Sequence, residues 1–319
     1  MKKLVLVAVM LMVFGVVSMV FGVVSMANAE LIMRWGGSKD FTLPPDGNDF
    51  VAISSGFEFG LALRSDGSIV GWGNNNNNRA TVPTGNDFMA IAAGYSFGLA
   101  LRDDGSIIGW GQNNMGQINV PIGDDFKAVS AGGMHSLALK DDGSIVGWGD
   151  NSYGQITVPT GNNYKAVSAG GYFSLALRSD GTIIGWGGRS GLTIPSGNNF
   201  TAISAGGVDD GVALRDGSII GLGLHPYTMN LPSGNDFVAI SEGNGFGLAL
   251  RNNGAIVSWG DNSYGQTNVP TGNDFTAISA GVFHGLALEK ASPVPIPGTI
   301  LLLGSGLAGL IGLKRKYLG

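Results

Sequence analysis

The chain has no cysteine among its 319 residues, only three histidines, and charged side chains at just 13% of positions. The missing thiols exclude a disulfide framework, a thiolate zinc site and a cysteine nucleophile, so stability must come from packing and hydrogen bonding. Eighteen basic side chains against 23 acidic ones give a formal net charge of −5. A surface of that balance is not built to neutralise phosphates, and nucleic acid is not an expected partner. Apolar runs of helical length are confined to the two ends. What abounds is glycine, 55 residues, far above the usual ~7% and without a Gly-X-Y period. Many tight turns follow, and with them short strands.

The N-terminus carries Lys2 and Lys3, an apolar run from Leu4 to Met26, and Ala27-Asn28-Ala29. This pattern predicts a secretory signal helix over residues 1–29, cleaved before Glu30. The run contains "VFGVVSM" twice, which makes it long enough to span a bilayer of about 30 Å, so an uncleaved anchor is the alternative. At the other end, a proline-rich linker (291–298) precedes an apolar stretch and the basic cluster Lys314, Arg315 and Lys316 (299–319). The 16 residues from Gly298 to Leu313 predict a transmembrane helix of about 24 Å with its basic end cytoplasmic. Val294, Pro295, Ile296 and Pro297, followed by a glycine-rich apolar helix and a basic tail, resemble the PEP-CTERM sorting signal of Gram-negative bacteria. That resemblance implies processing by an exosortase-type membrane protease and delivery to the cell envelope, outer surface or extracellular matrix. Ile296 stands where the motif's name has glutamate. The Gly304-Ser-Gly306-Leu-Ala-Gly309 run spells a dinucleotide fingerprint but lacks the preceding strand and following acid, and no cofactor is implied.

Between the ends a unit recurs, starting at Gly47, Gly85, Gly123, Gly161, Gly197, Gly234 and Gly272. A period in this range means an array or a propeller. Each unit holds runs of strand length bounded by Gly, Asn and Asp, with Asp-Gly hairpin signals at residues 66, 104, 142, 180 and 216 and Asn253-Gly254 in the sixth unit. A further strand before each Val-Pro pair predicts four strands per blade. The last unit stops after two strands, and residues 31–44 supply the missing part. Residues 30–290 are thus expected to form an all-β, seven-bladed propeller closed by N-terminal strands pairing with the C-terminal half repeat. Trp35, Trp72, Trp110, Trp148, Trp186 and Trp259, with Leu222 in the remaining blade, share one register and are expected to pack between blades.

Residues 132–159, "GGMHSLALKDDGSIVGWGDNSYGQITVP", resemble the repeat of the regulator of chromosome condensation family, and most closely a bacterial short-repeat branch that includes a propeller-type beta-lactamase inhibitor. The resemblance implies the propeller fold, and aromatic residues on one face as a means of gripping a protein. Nucleotide exchange on a nuclear GTPase does not suit a chain with export signals.

Positions on which the units agree are set by the architecture, and positions on which they differ are free for another role. In an up-and-down blade the turn between strands one and two and the loop after strand three leave by one face, while the hairpins leave by the other. The hairpin face is monotonous and the loop face varies. One ring of loops presents Phe57, Tyr95, Met134, Tyr172, Asp209, Asp210 and Phe283; a second presents Met115, Tyr153, Arg189, His225, Tyr227 and Tyr264. Such residues have the composition of protein-contact hot spots, although they could equally cover the channel mouth. Asp209 and Asp210 form the one adjacent acid pair there, open to a cation or basic partner or to relaxed packing. His135 and His284 share a register with Phe59, Phe97, Phe173 and Phe246 and are expected to be hydrogen-bonded structural histidines. No catalytic set or metal site is compelled, and the Asp150 and Asp261 loops suit Asx turns better than calcium. The expected function is an exported, non-catalytic binding module for a protein or an extracellular polysaccharide. Alternatives are an exported hydrolase or lyase at the channel mouth, and an inhibitor of a beta-lactamase-like enzyme.

Overall fold

A computed structural model describes residues 10–13, 16–19, 30–38, 41–189, 192–207, 209–223 and 230–290. Strands β1 (Met10–Val13) and β2 (Val16–Met19) lie in the apolar N-terminal run, and β3 (Glu30–Gly36) follows. Six blades come next, each with three strands: β4 (Phe50–Ser55), β5 (Phe59–Arg64), β6 (Ile69–Gly73); β7 (Phe88–Ala93), β8 (Phe97–Arg102), β9 (Ile107–Gly111); β10 (Phe126–Ala131), β11 (His135–Lys140), β12 (Ile145–Gly149); β13 (Tyr164–Ala169), β14 (Phe173–Arg178), β15 (Ile183–Gly187); β16 (Phe200–Ala205), β17 (Asp210–Arg215), β18 (Ser218–Gly223); β19 (Phe237–Glu242), β20 (Phe246–Arg251), β21 (Ile256–Gly260). Last are β22 (Phe275–Ala280) and β23 (His284–Lys290), completed by β3 from the start of the chain.

That seventh sheet closes the ring. Gly36 pairs with His284, Arg34 with Leu286 and Glu30 with Lys290, antiparallel throughout. The Glu30 amide also donates to Asn48 O at the entry to the first blade (2.9 Å). Neither chain end of the propeller is left as a free edge.

Two expectations are corrected. The described residues of the expected signal helix are not helical: β1 and β2 pair antiparallel, Met10 with Met19 and Val13 with Val16, as suits a valine-rich run. The expected C-terminal helix lies outside the described residues, among which no helix is long and apolar enough to cross a membrane. Each blade also has three strands rather than four. The segment before each Val-Pro or Ile-Pro pair still runs beside strand three, as the Ser258 hydroxyl donating to Thr267 O shows (2.9 Å). It forms no ladder, because its amides are spent on the loop before it: those of Ala80, Ile118, Ile156 and Thr267 donate to the Oδ1 of Asn75, Asn113, Asn151 and Asn262.

Local chemistry fixes each blade. In the first, Gly67 takes φ +84, a left-handed conformation cheap only for glycine, while Asp66 Oδ1 accepts from the Ser68 amide (2.9 Å). Every first strand carries a bulge at its second residue, which sharpens the twist that a propeller blade needs. The core lies between neighbouring blades. Phe59, Phe97, Phe173 and Phe246 are fully buried, as are the Leu-Ala-Leu strands. Trp35, Trp72, Trp148 and Trp259 are buried and Leu222 wholly so, whereas Trp110 and Trp186 are half-buried. The indole N–H of Trp148 donates to Gln117 O of the preceding blade (2.9 Å), and Trp35 does the same to Gln266 O (2.8 Å). Serine hydroxyls at the fifth position of the first strands add a second inter-blade tie. Ser130 Oγ accepts from the Ala169 amide, Ser168 from Ala205, Ser204 from Glu242, Ser241 from Ala280, Ser279 from Ser55 and Ser54 from Ala93, at 2.8–3.0 Å.

Candidate functional site: the loop face

Three loops that follow a third strand are built alike. In the loop after β12, Asp150 accepts from the Ser152 amide (3.0 Å) and from Gln155 Nε2 (2.9 Å), and Gln155 Oε1 accepts from the Tyr153 amide (2.8 Å). After β21, Asp261, Ser263, Gln266 and Tyr264 repeat the arrangement at 3.0, 2.9 and 2.8 Å. After β9, the Met115 amide donates to Gln117 Oε1 (2.9 Å). Gln117, Gln155 and Gln266 are fully buried, so each loop is pinned from beneath. The acid oxygens are consumed by their own loop; hydrogen bonding from Ser263 holds the Asp261 carboxyl below its usual range despite some burial. What remains for solvent is the side chain at each tip: Met115, Tyr153 and Tyr264 are 46%, 39% and 48% exposed.

Inside these tips, the turns between first and second strands join into a circle. Amides of Phe57, Tyr95, Gly133, Gly171, Gly207, Asn244 and Val282 donate to Tyr95, Gly132, Gly170, Gly206, Gly243, Gly281 and Gly56 carbonyls respectively, at 2.9–3.4 Å. The last of these ties the seventh blade to the first. The circle fixes the half-buried Phe57, Tyr95, Met134, Tyr172 and Phe283 at the channel mouth. The Tyr95 phenol is pushed up to about 12 by burial and then by Tyr172 and Asp210; its oxygen lies 3.3 Å from the place a Cβ of Gly171 would take, two blades on.

The two loop rings touch through their aromatics. Tyr153 meets Tyr172 edge-on at 5.2 Å, Tyr264 meets Phe283 at 4.4 Å, and Phe57 meets Phe283 at 5.4 Å. The exposed Arg189 lies 3.9 Å over Tyr172 and 5.0 Å from Tyr153, and the buried Arg79 lies 5.6 Å from Phe57. Two rigid aromatic patches result, each with a guanidinium stacked on it.

Residues 50–79, 90–117, 126–155, 164–190 and 237–266 match the family description "Regulator of chromosome condensation (RCC1) repeat". The chain carries RCC1 repeats. Its fold is similar to human WBSCR16 (18% identity over 83% of this chain and 100% of that one, TM-score 0.67) and to yeast RCC1 (Prp20) solved with Kap60 (16% identity, 83% and 90%, TM-score 0.68). It is also similar to the CRINKLY WD40 ectodomain of the Arabidopsis thaliana receptor kinase ACR4 (24% identity, 73% and 88%, TM-score 0.61). No curated protein matches the chain. At these identities the likeness speaks to the RCC1-like propeller fold and not to activity.

In the register of the RCC1 repeat, the first position of each middle strand reads Phe59, Phe97, His135, Phe173, Asp210, Phe246 and His284. His135 is fully buried with Nε2 2.9 Å from Ser174 Oγ, and burial pushes it down to about 4. His284 departs from expectation: neither ring nitrogen has a partner, the ring lies 4.2 Å from Phe41, and burial followed by Arg34 pushes it down to about 3. It fills an aromatic slot as the phenylalanines do. Sealed from solvent, neither histidine can meet a substrate.

Asp209 and Asp210 are also corrected. They are 7% and 2% exposed, so they present no acid pair on the rim to a cation, a basic partner or a substrate. The turn of this fifth blade is one residue longer than its counterparts, which moves Asp210 into the first position of β17; the Asp209 carboxylate accepts from the Arg189 amide (2.8 and 3.0 Å). His225, Tyr227, Val294, Pro295, Pro297, Lys314, Arg315 and Lys316 lie outside the described residues. Among those described, no group of three His, Asp or Glu side chains could hold a metal ion. Sequence reasoning passed over Glu242, a fully buried acid that stands where other repeats have alanine or serine.

Proposed function

We propose that this RCC1-type propeller is an exported, non-catalytic binding module that docks a protein partner through its loop face. The observation that carries this reading is the shared presentation of Met115, Tyr153 and Tyr264: exposed tips whose amides are held by a buried glutamine below, the two tyrosines stacked on neighbouring aromatics. Large side chains that are already ordered lose little freedom on docking, which is what makes such residues effective anchors. Export is supported by the leader pattern and by where the fold begins. Strand β3 starts at Glu30, so a cut after Ala29 leaves the closing strand whole.

The test is affinity capture with the full chain from the producing cell's envelope and medium, beside a Met115→Ser/Tyr153→Ser/Tyr264→Ser variant and a hairpin-face control, Asp66→Ala. Partners retained by the control and lost from the triple variant support docking through the loop face. A bound set indifferent to the triple variant sinks the proposal. N-terminal sequencing of the recovered protein, expected to begin at Glu30, tests export separately.

A further inference from the structure

The wall between the fifth and sixth blades encloses two carboxylic acids. Glu242 ends β19, where the other blades have Ser55, Ala93, Ala131, Ala169, Ala205 and Ala280; it is fully buried and neither carboxyl oxygen has a hydrogen-bond partner. Asp210, 2% exposed, opens β17 of the neighbouring blade. Both press on Gly206: Asp210 Oδ1 and Glu242 Cγ each lie 2.8 Å from the place a Cβ would take there. On its other side Glu242 Oε2 lies against Gly247, in the space beside the Trp259 indole.

Of the strands packed against β19, β16, β18 and β22 hold no titratable residue, and neither does β21 within its own blade. Strand β17 contributes Asp210 and, at its far end, Arg215. Strand β20 contributes Arg251, at the far end and paired with Asp236. Asp209 is turned to the Arg189 amide, and the Tyr95 phenol feels the charge of Asp210. Among the described residues, then, the charge that Glu242 meets is another carboxylate. An ionised Glu242, fully buried, with no hydrogen-bond partner on either oxygen and a second carboxyl beside it, would be an uncompensated charge in the wall.

We propose that Asp210 and Glu242 form a proton-binding pair that makes the seam between the fifth and sixth blades a pH-responsive joint of the propeller. Glu242 holds the proton: burial, and then the charge of Asp210, push its carboxyl well above the ordinary range. The folded chain therefore keeps a proton that the unfolded chain releases near 4.5. The pair's contribution to stability is complete below that value and is lost as pH rises through the elevated folded value. The joint bears on the loop face, because the same seam carries the Gly207-to-Gly243 link of the backbone circle and Asp209 anchors the Arg189 loop.

The test is thermal unfolding of the full chain between about pH 4 and about pH 9, spanning the glutamate range, with Glu242→Gln and Glu242→Ala in parallel. Glutamine has the shape of the protonated acid, and alanine is the residue most other repeats carry. The parent and E242Q are expected to melt together at the acid end, with E242Q higher by about 3 °C or more at the alkaline end. E242A should show the same widening gap whatever its constant offset, and it decides the matter if E242Q does not fold. Taking variant-minus-parent differences cancels the contribution of the buried histidines. A gap that stays constant across the range for both variants overturns the proposal.

Discussion

The ring of serine hydroxyls between blades has one missing member, and filling it is a sharp test of how the propeller is held together. Six first strands place a serine Oγ within 2.8–3.0 Å of the next blade's amide. In the second blade the position is Ala92, 6% exposed, facing the amide of Ala131. Ala92→Ser adds one oxygen to a site whose backbone six other blades share, so little strain is expected. A buried hydrogen bond contributes about 0.5–1.5 kcal/mol net, and desolvating the new hydroxyl offsets part of that, leaving an expected gain near ~0.5–1 kcal/mol. For a protein of this size the melting midpoint should rise by roughly 2 °C. The converse change, Ser168→Ala, strands the Ala205 amide and should cost about 1–3 kcal/mol, lowering the midpoint by roughly 3–9 °C. Both are read by circular dichroism melts under reversible conditions. An A92S midpoint at or below the parent's, alongside an S168A midpoint that falls as expected, would refute the claim that equivalent register means equivalent bonding.

Two other outcomes follow from the geometry. Trp35→Ala removes a buried indole and its bond to Gln266 O from the closing strand, and should cost about 3–5 kcal/mol, measured as a shift in the urea midpoint; a cost below that of an exposed substitution would mean that β3 does not carry the closure. His284→Phe puts the residue of four other blades into a site where burial pushes the imidazole down to about 3. Because the folded value lies below the unfolded one, the parent's stability is complete above the free imidazole's 6.5 and drains as pH falls through the folded value. H284F should lose less between about pH 6.5 and pH 4, and acid melts with parallel profiles would show the histidine to be silent.

Much of the fold was legible because the chain states its rules seven times. The period, the Asp-Gly turns and the single tryptophan register fixed the blades, and the half unit at each end disclosed how they close. The fourth strand is missing because the amides that would pair are taken by asparagine side chains of the preceding loop, a commitment that strand-length patterning does not announce. The loop face was also legible, from variation between units. Asp210 falls in a strand rather than a loop because its turn holds one extra residue, between Ala205 and Asp210. The locked tips became visible only with the burial of the glutamines two residues beyond them, and Glu242 only with Asp210 beside it, since no local pattern announces the proximity of residues more than thirty positions apart.

Because β3 pairs with β23, the first propeller strand to leave the ribosome finds its partner only when the last has been made. Such a contact spans nearly the entire domain, and contacts of long sequence separation are the slow ones to form. Until then a nascent chain carries two unpaired rims, one at each extremity, open to wrong pairing with its neighbours. A chain of this design gains its seam-free circle at the expense of a late, all-or-nothing final step, and synthesis stalled anywhere before residue 284 would release a fan rather than a smaller wheel.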